Sequence, residues 1–234
     1  MASAKFKLLH FPATRSARVK WVLHEVLGDD FEIEKVDLYS GKQYSPEHIA
    51  INPNHNVPVL EITWANGETQ RMLESAAMVA FLADAYPKKK LAPPANELSP
   101  ARADYLQMLH FGASWMDMML WQIRIHEHLL PESQFDERTI ARYKSKFTDE
   151  VEPQIAARVE KGPFICGEEF TAADCIVGHN VMWARAYGLC KHRAFDMYAL
   201  TLSKREGFQK AFSDIGDFSP APPGGRREGM PFNG

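Results

Sequence analysis

Apolar residues change their spacing once along this chain, at a basic, proline-rich stretch over residues 87–96, and that change restricts the fold more than any other feature. Before it, alternating and helical runs follow one another; after it, only helical spacing occurs. Residues 5–10 read as a strand, with Phe6, Leu8 and Leu9 beside Lys5 and Lys7. Val19, Val22, Leu23, Val26 and Leu27 then share one helix face, and Gly28-Asp29-Asp30 supplies the stop. Residues 31–38 alternate apolar and charged side chains, the pattern of a half-buried strand. Strand, helix and strand in succession predict a βαβ unit whose two strands pair in parallel.

The next elements differ. Residues 57–64 and 69–73 read as strands, and Asn66-Gly67 between them is a hairpin signal. An irregular helical stretch near residues 45–51 precedes this pair, and a helix over 75–86 follows it, closed by Pro87. Beyond the proline-rich stretch, helices are expected over 100–128, 136–160 and 171–187, with one or two shorter ones over 194–212. From Gly216 onward, Pro, Gly and Arg crowd a tail with little capacity to pack. The expected organisation is an α/β domain (1–86), a linker (87–98), an all-α domain (99–216) and a tail (217–234).

Composition removes several classes of function. A net charge of −3 gives no reason to expect nucleic acid as a partner. Residues 105–116 carry no charge, but Asp117 ends that run, whereas a membrane span needs roughly 20 apolar residues. The N-terminus runs straight into a strand without a basic and then apolar leader, which argues against a secretory signal. Cys166, Cys175 and Cys190 form no CxxC, and His126 and His128 diverge on a helix, so neither a disulfide framework nor a metal site is expected. The expected compartment is the cytoplasm.

Three local signatures carry chemistry or fold information. Residues 52–60, Asn-Pro-Asn-His-Asn-Val-Pro-Val-Leu, open a strand on Pro58, where proline is tolerated and a cis peptide is accessible. Leu73-Glu74-Ser75-Ala76-Ala77-Met78 starts a helix with Ser75 as its expected N-cap, and the free amides at that end favour an anion. Phe170-Thr171-Ala172-Ala173-Asp174 opens the apolar helix with a capping box. In this order, and over residues 5–212, the three resemble the cytosolic glutathione transferases.

That resemblance implies a thioredoxin-like N-terminal domain followed by an α-helical bundle, assembled as a homodimer. It implies glutathione as co-substrate, no metal, and a small hydrophobic electrophile as the second substrate. Val57 and a cis-Pro58 would offer backbone to the tripeptide, while Glu74 and Ser75 would hold its γ-glutamyl end. Asn56 departs from the pattern, because many members carry a lysine there aimed at the glycine carboxylate; Lys42 or His55 is the candidate for that role, and Gln43 and Asn56 complete the expected glutathione-binding set. Arg15 is a further candidate partner for the anion.

A free thiol has a pKa of roughly 8.5, so it needs a hydrogen-bond donor near a helix N-terminus to ionise at neutral pH. The segment His10-Phe-Pro-Ala-Thr14-Arg15-Ser16 lies where that geometry arises, and it holds neither tyrosine nor cysteine. The order of candidates is Thr14, Ser16, then His10. Either hydroxyl can also serve simply to cap the helix. The Met- and Trp-rich run after residue 105 suggests a second pocket, with Met108, Phe111 and Trp115 as candidate lining. Asp117 within that run reads as a buried, hydrogen-bonded carboxylate. The expected activity is glutathione transfer. The alternatives are a glutathione-dependent isomerase or reductive ether- or halide-cleaving enzyme, and a non-catalytic binding protein on the same scaffold.

Overall fold

A computed structural model describes residues 4–221. Strand β1 (Lys5–His10) leads into α1 (Ser16–Leu27) and then β2 (Glu32–Lys35), which pairs with β1 in parallel as the βαβ pattern requires. After a short α2 (Pro46–Ile51), β3 (Val59–Thr63) and β4 (Thr69–Met72) form an antiparallel hairpin around Gly67, whose φ is +86°. The helix α3 (Ser75–Ala85) completes the unit, and the sheet order is β2-β1-β3-β4.

Strand pleating decides which side chains reach which core. Phe6, Leu8, Leu60 and Ile62 point to the face covered by α1 and α3, while Leu9, Phe11, Val57 and Val59 point to the opposite face. Strand β2 is shorter than the alternating pattern suggests. Its apolar residues change parity, from Phe31 and Ile33 to Val36 and Leu38, so one pleat cannot bury all four. The structure ends β2 at Lys35, leaves Ile33 44% exposed and buries Val36.

The rest is helical. α4 (Pro100–Phe111) and α5 (Asp117–Arg124) form one long helix through a π-turn at Gly112–Met116. α6 (Glu137–Lys146) and α7 (Glu152–Val159) are joined in the same way. The apolar α8 (Ala172–Ala186) opens with the expected capping box between Thr171 and Asp174. α9 (Arg193–Ser203) and α10 (Glu206–Ala211) follow. Lys88, Lys89 and Lys90 are exposed, as a solvated linker should be, but Leu91 is buried and its carbonyl accepts from the Ala172 amide at 2.7 Å.

The expectation of a non-packing tail from Gly216 fails for its first residues. Phe218 packs into the second face of the sheet with Leu9, Phe11, Val36, Val57 and Val59, and the Tyr39 hydroxyl donates to the Ser219 carbonyl at 3.0 Å. That face needs a cover, and a single aromatic within a Pro- and Gly-rich segment supplies part of it. The tail beyond residue 221 lies outside the described residues.

Helix α1 is the element both halves share. Trp21 is fully buried among Phe170, Phe208 and Phe212, with ring centroids 5.6, 5.1 and 5.9 Å away. Its indole N–H donates to Glu25, which Arg205 grips through two hydrogen bonds of 2.9 and 2.7 Å. Replacing Trp21 by Ala is expected to lower stability by about 3–5 kcal/mol, the usual effect of emptying a large aromatic site. Urea unfolding followed by far- and near-ultraviolet circular dichroism checks this, and both signals should shift together because α1 belongs to both cores.

Candidate functional site

The turn between β1 and α1 places the candidate catalytic residues. Ala13 adopts φ +55°, an uncommon conformation for a residue with a Cβ, and the chain then enters α1 directly. Thr14 is half-buried, and its hydroxyl donates to the Phe11 carbonyl at 2.7 Å. Its oxygen also lies 2.8 Å from Ser16 Oγ, which in turn lies 2.7 Å from His10 Nδ1. Ser16 and His10 are buried behind Thr14, so of the three candidates Thr14 alone reaches the adjoining cavity.

Arg18, in the first turn of α1, holds that β1–α1 turn in place. Its Nη2 donates to Asp117 Oδ2 at 2.6 Å and to Asn180 Oδ1; its Nε donates to His179 Nδ1 at 3.1 Å. Nη1 lies 3.5 Å from Ser75 Oγ. A hydrogen received on Nδ1 leaves His179 to carry its own proton on Nε2, which donates to the Ala13 carbonyl at 3.2 Å. Thus one guanidinium fixes a histidine tautomer, and that histidine secures the strained residue. Asn180 extends the clamp by donating to the Gly112 carbonyl at the start of the π-turn, at 2.6 Å.

Charge in this cluster is close to fixed. Burial would raise the Asp117 carboxyl, but Arg18 and Arg15 overcome it and hold it at about 2. Burial, with Arg18 adding repulsion, pushes His179 down to about 3, so the ring stays neutral. Arg15, expected as a partner for a ligand anion, is instead engaged with Asp117 through three contacts of 2.5–3.0 Å, with Trp121 and Trp183 flanking its guanidinium. The reading of Asp117 as a buried hydrogen-bonded carboxylate agrees with this geometry.

Two backbone features stand on the sheet side. The Val57–Pro58 peptide is cis, and Val57 lies just before the β1–β3 ladder, which begins at Val59. Asn52, buried, donates its amide to the Asn56 carbonyl and to Asn56 Oδ1, while His48 Nε2 lies 3.0 Å from the same carbonyl. The loop is therefore pinned, and Asn56 retains its NH2 group as the donor it can offer. His55 has φ +43° and packs its ring against Tyr44; Lys42 is exposed, and Gln43 has a buried amide oxygen with no partner.

Ser75 differs in detail from its expected role. Glu74, with φ +72°, occupies the N-cap of α3, and Ser75 is the first helical residue, 7% exposed. The strained Glu74 swings the chain so that the free amides of the first turn, the Ser75 hydroxyl and an exposed carboxylate come together. Arg18 stands behind Ser75 and adds positive potential to that helix end.

Beside Thr14 and Arg15 opens a cavity of about 230 Å³. Trp121 and Arg124 of α5, Met182 and Trp183 of α8, and Phe212 and Phe218 complete its walls. Arg124 lies 5.0 Å above the Phe218 ring. The lining expected from α4 is not what lines it: Met108 is core, Phe111 packs against that core, and Trp115 lies under the Lys146 ammonium. The helix phase explains the change, since the face turned to the β1–α1 turn is that of Asp117, Trp121 and Arg124 (i, i+4, i+7). Among the described residues, no three His, Cys, Asp or Glu side chains converge to hold a metal.

Sequence reasoning missed Arg18, His179, Asn180 and Asp214. One signal was available: an arginine in the first turn of a helix opposes the helix dipole, which suggests a carboxylate partner elsewhere.

Residues 4–84 match the family described as glutathione S-transferase, N-terminal domain. The chain is 28% identical over 168 residues to the disulfide-bond oxidoreductase YfcG of Escherichia coli (strain K12), covering 71% of this chain and 74% of that one. It is 26% identical over 195 residues to the glutathione S-transferase GstA of Escherichia coli O157:H7, covering 78% and 84%. A glutathione transferase family member from Pseudomonas fluorescens pf-5, solved with two glutathione bound, matches with a TM-score of 0.77 at 19% identity over 89% of this chain and 92% of its own. At that identity the likeness is one of fold.

The neutral His179 gives a pH-dependent stability. Its folded pKa, about 3, lies below the usual 6.5, so the unfolded chain takes up the proton first and stability falls as pH drops through that window. Between pH 7 and pH 5 this group accounts for about 2 kcal/mol. His179→Gln retains an acceptor for Arg18 and a donor for Ala13, so urea midpoints of the variant should fall less over that interval than those of the parent protein.

Proposed function

Because the chain belongs to the cytosolic glutathione transferase family, we propose that it binds glutathione along its N-terminal sheet and activates the thiol for attack on a hydrophobic electrophile. The observation that carries this reading is the Thr14 hydroxyl, set at the start of α1 and open to an aromatic-walled cavity. The solved relative that binds glutathione supports it from the side of fold.

In this reading the γ-glutamyl carboxylate meets the first-turn amides of α3 and Ser75, with Arg18 behind them, and the ammonium meets Glu74. The central residue pairs with the Val57 backbone, which the cis-Pro58 presents. The glycine carboxylate lies towards Lys42, Gln43, His55 and Asn56. Thr14 then donates a hydrogen bond to the sulfur, and the amides at the start of α1 add their positive potential, so the thiolate becomes the favoured form. The thiolate forms a C–S bond with the electrophile, and a leaving group departs or the adduct takes up a proton. Orientation within one pocket contributes as much as ionisation does.

The cavity bears on the second substrate. Trp121, Trp183, Phe212 and Phe218 suit a flat apolar molecule, and Arg15 and Arg124 suit electron-rich substituents on it. The proposal includes a homodimer, a cytoplasmic location and a role in detoxification. A second reading follows from the relative named as a disulfide-bond oxidoreductase: the same thiolate attacks a disulfide instead. Burial pushes Cys166 up to about 12 and also raises Cys175 and Cys190, so in that reaction the attacking sulfur is the tripeptide's own.

Calorimetric titration with glutathione tests the reading first: a protein that gives no heat and no retention on glutathione resin does not perform this chemistry. Thr14→Val is expected to lower conjugation of a chlorodinitrobenzene-type substrate by about 100-fold, the usual effect of deleting one donor to a developing anion, with glutathione affinity nearly unchanged. A Thr14→Ala, Ser16→Ala pair that conjugates at the parent rate removes the hydroxyl assignment.

A further inference from the structure

Behind Thr14 runs a line of hydrogen bonds whose far end belongs to the C-terminal segment. Thr14 Oγ1 lies 2.8 Å from Ser16 Oγ, Ser16 Oγ lies 2.7 Å from His10 Nδ1, and His10 Nε2 lies 3.0 Å from Asp214 Oδ2. Ser16 is sealed from solvent and His10 is 2% exposed, so the line is dry between its two ends. An ionised carboxylate only accepts hydrogen bonds, so Asp214 assigns the ring hydrogen of His10 to Nε2. Nδ1, at 2.7 Å, is then the nearer of two acceptors for the Ser16 hydroxyl, the other being the Phe11 carbonyl at 3.0 Å. The Ser16 oxygen in turn accepts from the Phe11 amide at 3.1 Å and from Thr14. The acceptors for the Thr14 proton, Ser16 Oγ and the Phe11 carbonyl, both lie in the turn and not in the cavity. Its oxygen therefore offers a lone pair to whatever enters.

We infer that Ser16, His10 and Asp214 form a relay that carries the thiol proton of glutathione inward through Thr14, with Asp214 as the residue that positions His10. The relay rests on the reading that Thr14 faces the sulfur. Each step conserves atoms and charge. The S–H bond breaks and its proton goes to Thr14 Oγ1; the Thr14 proton passes to Ser16 Oγ, and the Ser16 proton to His10 Nδ1. A neutral thiol and a neutral imidazole become a thiolate and an imidazolium, and nothing is oxidised or reduced. Thr14 is left with its new proton directed at the sulfur, the donor arrangement a bound thiolate needs. The proton returns to the product or to water when the site empties.

Three charged groups face His10. Asp214, in the turn after α10, favours the imidazolium, while Lys20 on α1 and Lys35 beside it on β2 oppose it. Burial is the largest influence on the ring and holds it below the usual imidazole range in the empty site; among the described groups that act on it, Asp214 alone favours the charged form. Burial pushes Asp214 upwards too, yet His10 and Lys20 hold it at about 2, so it stays ionised wherever the ring changes state. Lys20 donates to the same Asp214 oxygen at 2.7 Å, which supplies an internal control: loss of either residue breaks this ion pair, but only loss of Asp214 removes the support of His10.

The test measures the ionisation midpoint of bound glutathione from the ultraviolet absorbance of its thiolate across pH. Asp214→Asn is expected to raise the midpoint by about one pH unit, a tenfold loss of thiolate below it, with Asp214→Glu restoring it and Lys20→Met failing to raise it. Nitrogen NMR of the His10 ring should report the Nε2–H tautomer in the free protein and the imidazolium when the bound thiol ionises. An unmoved midpoint in an Asp214→Asn variant that still binds glutathione, or an equal rise in Lys20→Met, overturns the relay. So does a neutral Nδ1–H ring, which decides the matter even where Asp214→Asn fails to fold. Failure of the parent protein to bind glutathione overturns instead the reading on which the relay rests.

Discussion

The guanidinium of Arg18 is the constraint on which the rest of this molecule depends. A cation almost wholly removed from water has to be paired and hydrogen-bonded, or the fold cannot hold it. Its four partners come from three places: Asp117 on the long helix, His179 and Asn180 on α8, and Ser75 at the start of α3. Satisfying one side chain therefore fixes the relative positions of the sheet domain and the helical bundle. It also determines where α1 begins, because His179, oriented by Arg18, holds the Ala13 carbonyl of the strained turn. The position of Thr14 follows from that chain of contacts.

The site is assembled on the same principle, from segments far apart in sequence and tied by few polar links. The sheet contributes a backbone edge at Val57, α3 contributes a helix end with Glu74 and Ser75, and α1 contributes hydroxyls. The C-terminal segment closes the arrangement: Asp214 reaches His10 and Lys20, Asp217 pairs with Lys35, and Phe218 covers the second face of the sheet. The same short stretch thus completes a core, walls a cavity and sets the state of a buried histidine. The cis-proline loop and the α3 start, which the proposal assigns to glutathione, lie within the residues that match the family. The cavity, by contrast, draws chiefly on the helical bundle and the C-terminal segment. The fold is thus shared at 19% identity while the cavity walls come chiefly from the less widely matched half of the chain.

Much of the fold was legible because its signals are local. Residues 5–38 announce a βαβ unit through the change from alternation to helical spacing, Asn66-Gly67 announces a hairpin, and Thr171 with Asp174 announces a helix start. Each depends on neighbours within one turn or one pleat, where sequence distance and spatial distance agree. The errors arose where they disagree. Residues 31–38 carry the alternation of a longer strand, but a change of parity that only burial resolves shortens it to Glu32–Lys35. The segment after Gly216 has the composition of an unpacked tail, yet Phe218 has a vacant sheet face to cover. Met108, Phe111 and Trp115 have the composition of a pocket wall, but the phase of a long helix against a distant turn decides which of its faces meets the cavity.

The sequence by itself determined the class of architecture, the location of the cis-proline loop and the α3 start, and the hydroxyl-rich turn, because periodicity, capping and turn chemistry act over a few residues. Only the tertiary structure decided which hydroxyl meets the cavity, that Arg15 is already engaged, and that a histidine at residue 10 finds its carboxylate at residue 214. The physical reason is burial. A polar side chain sealed from water must find a partner, and which partner it finds depends on how separate elements pack together, a relation that no local pattern encodes.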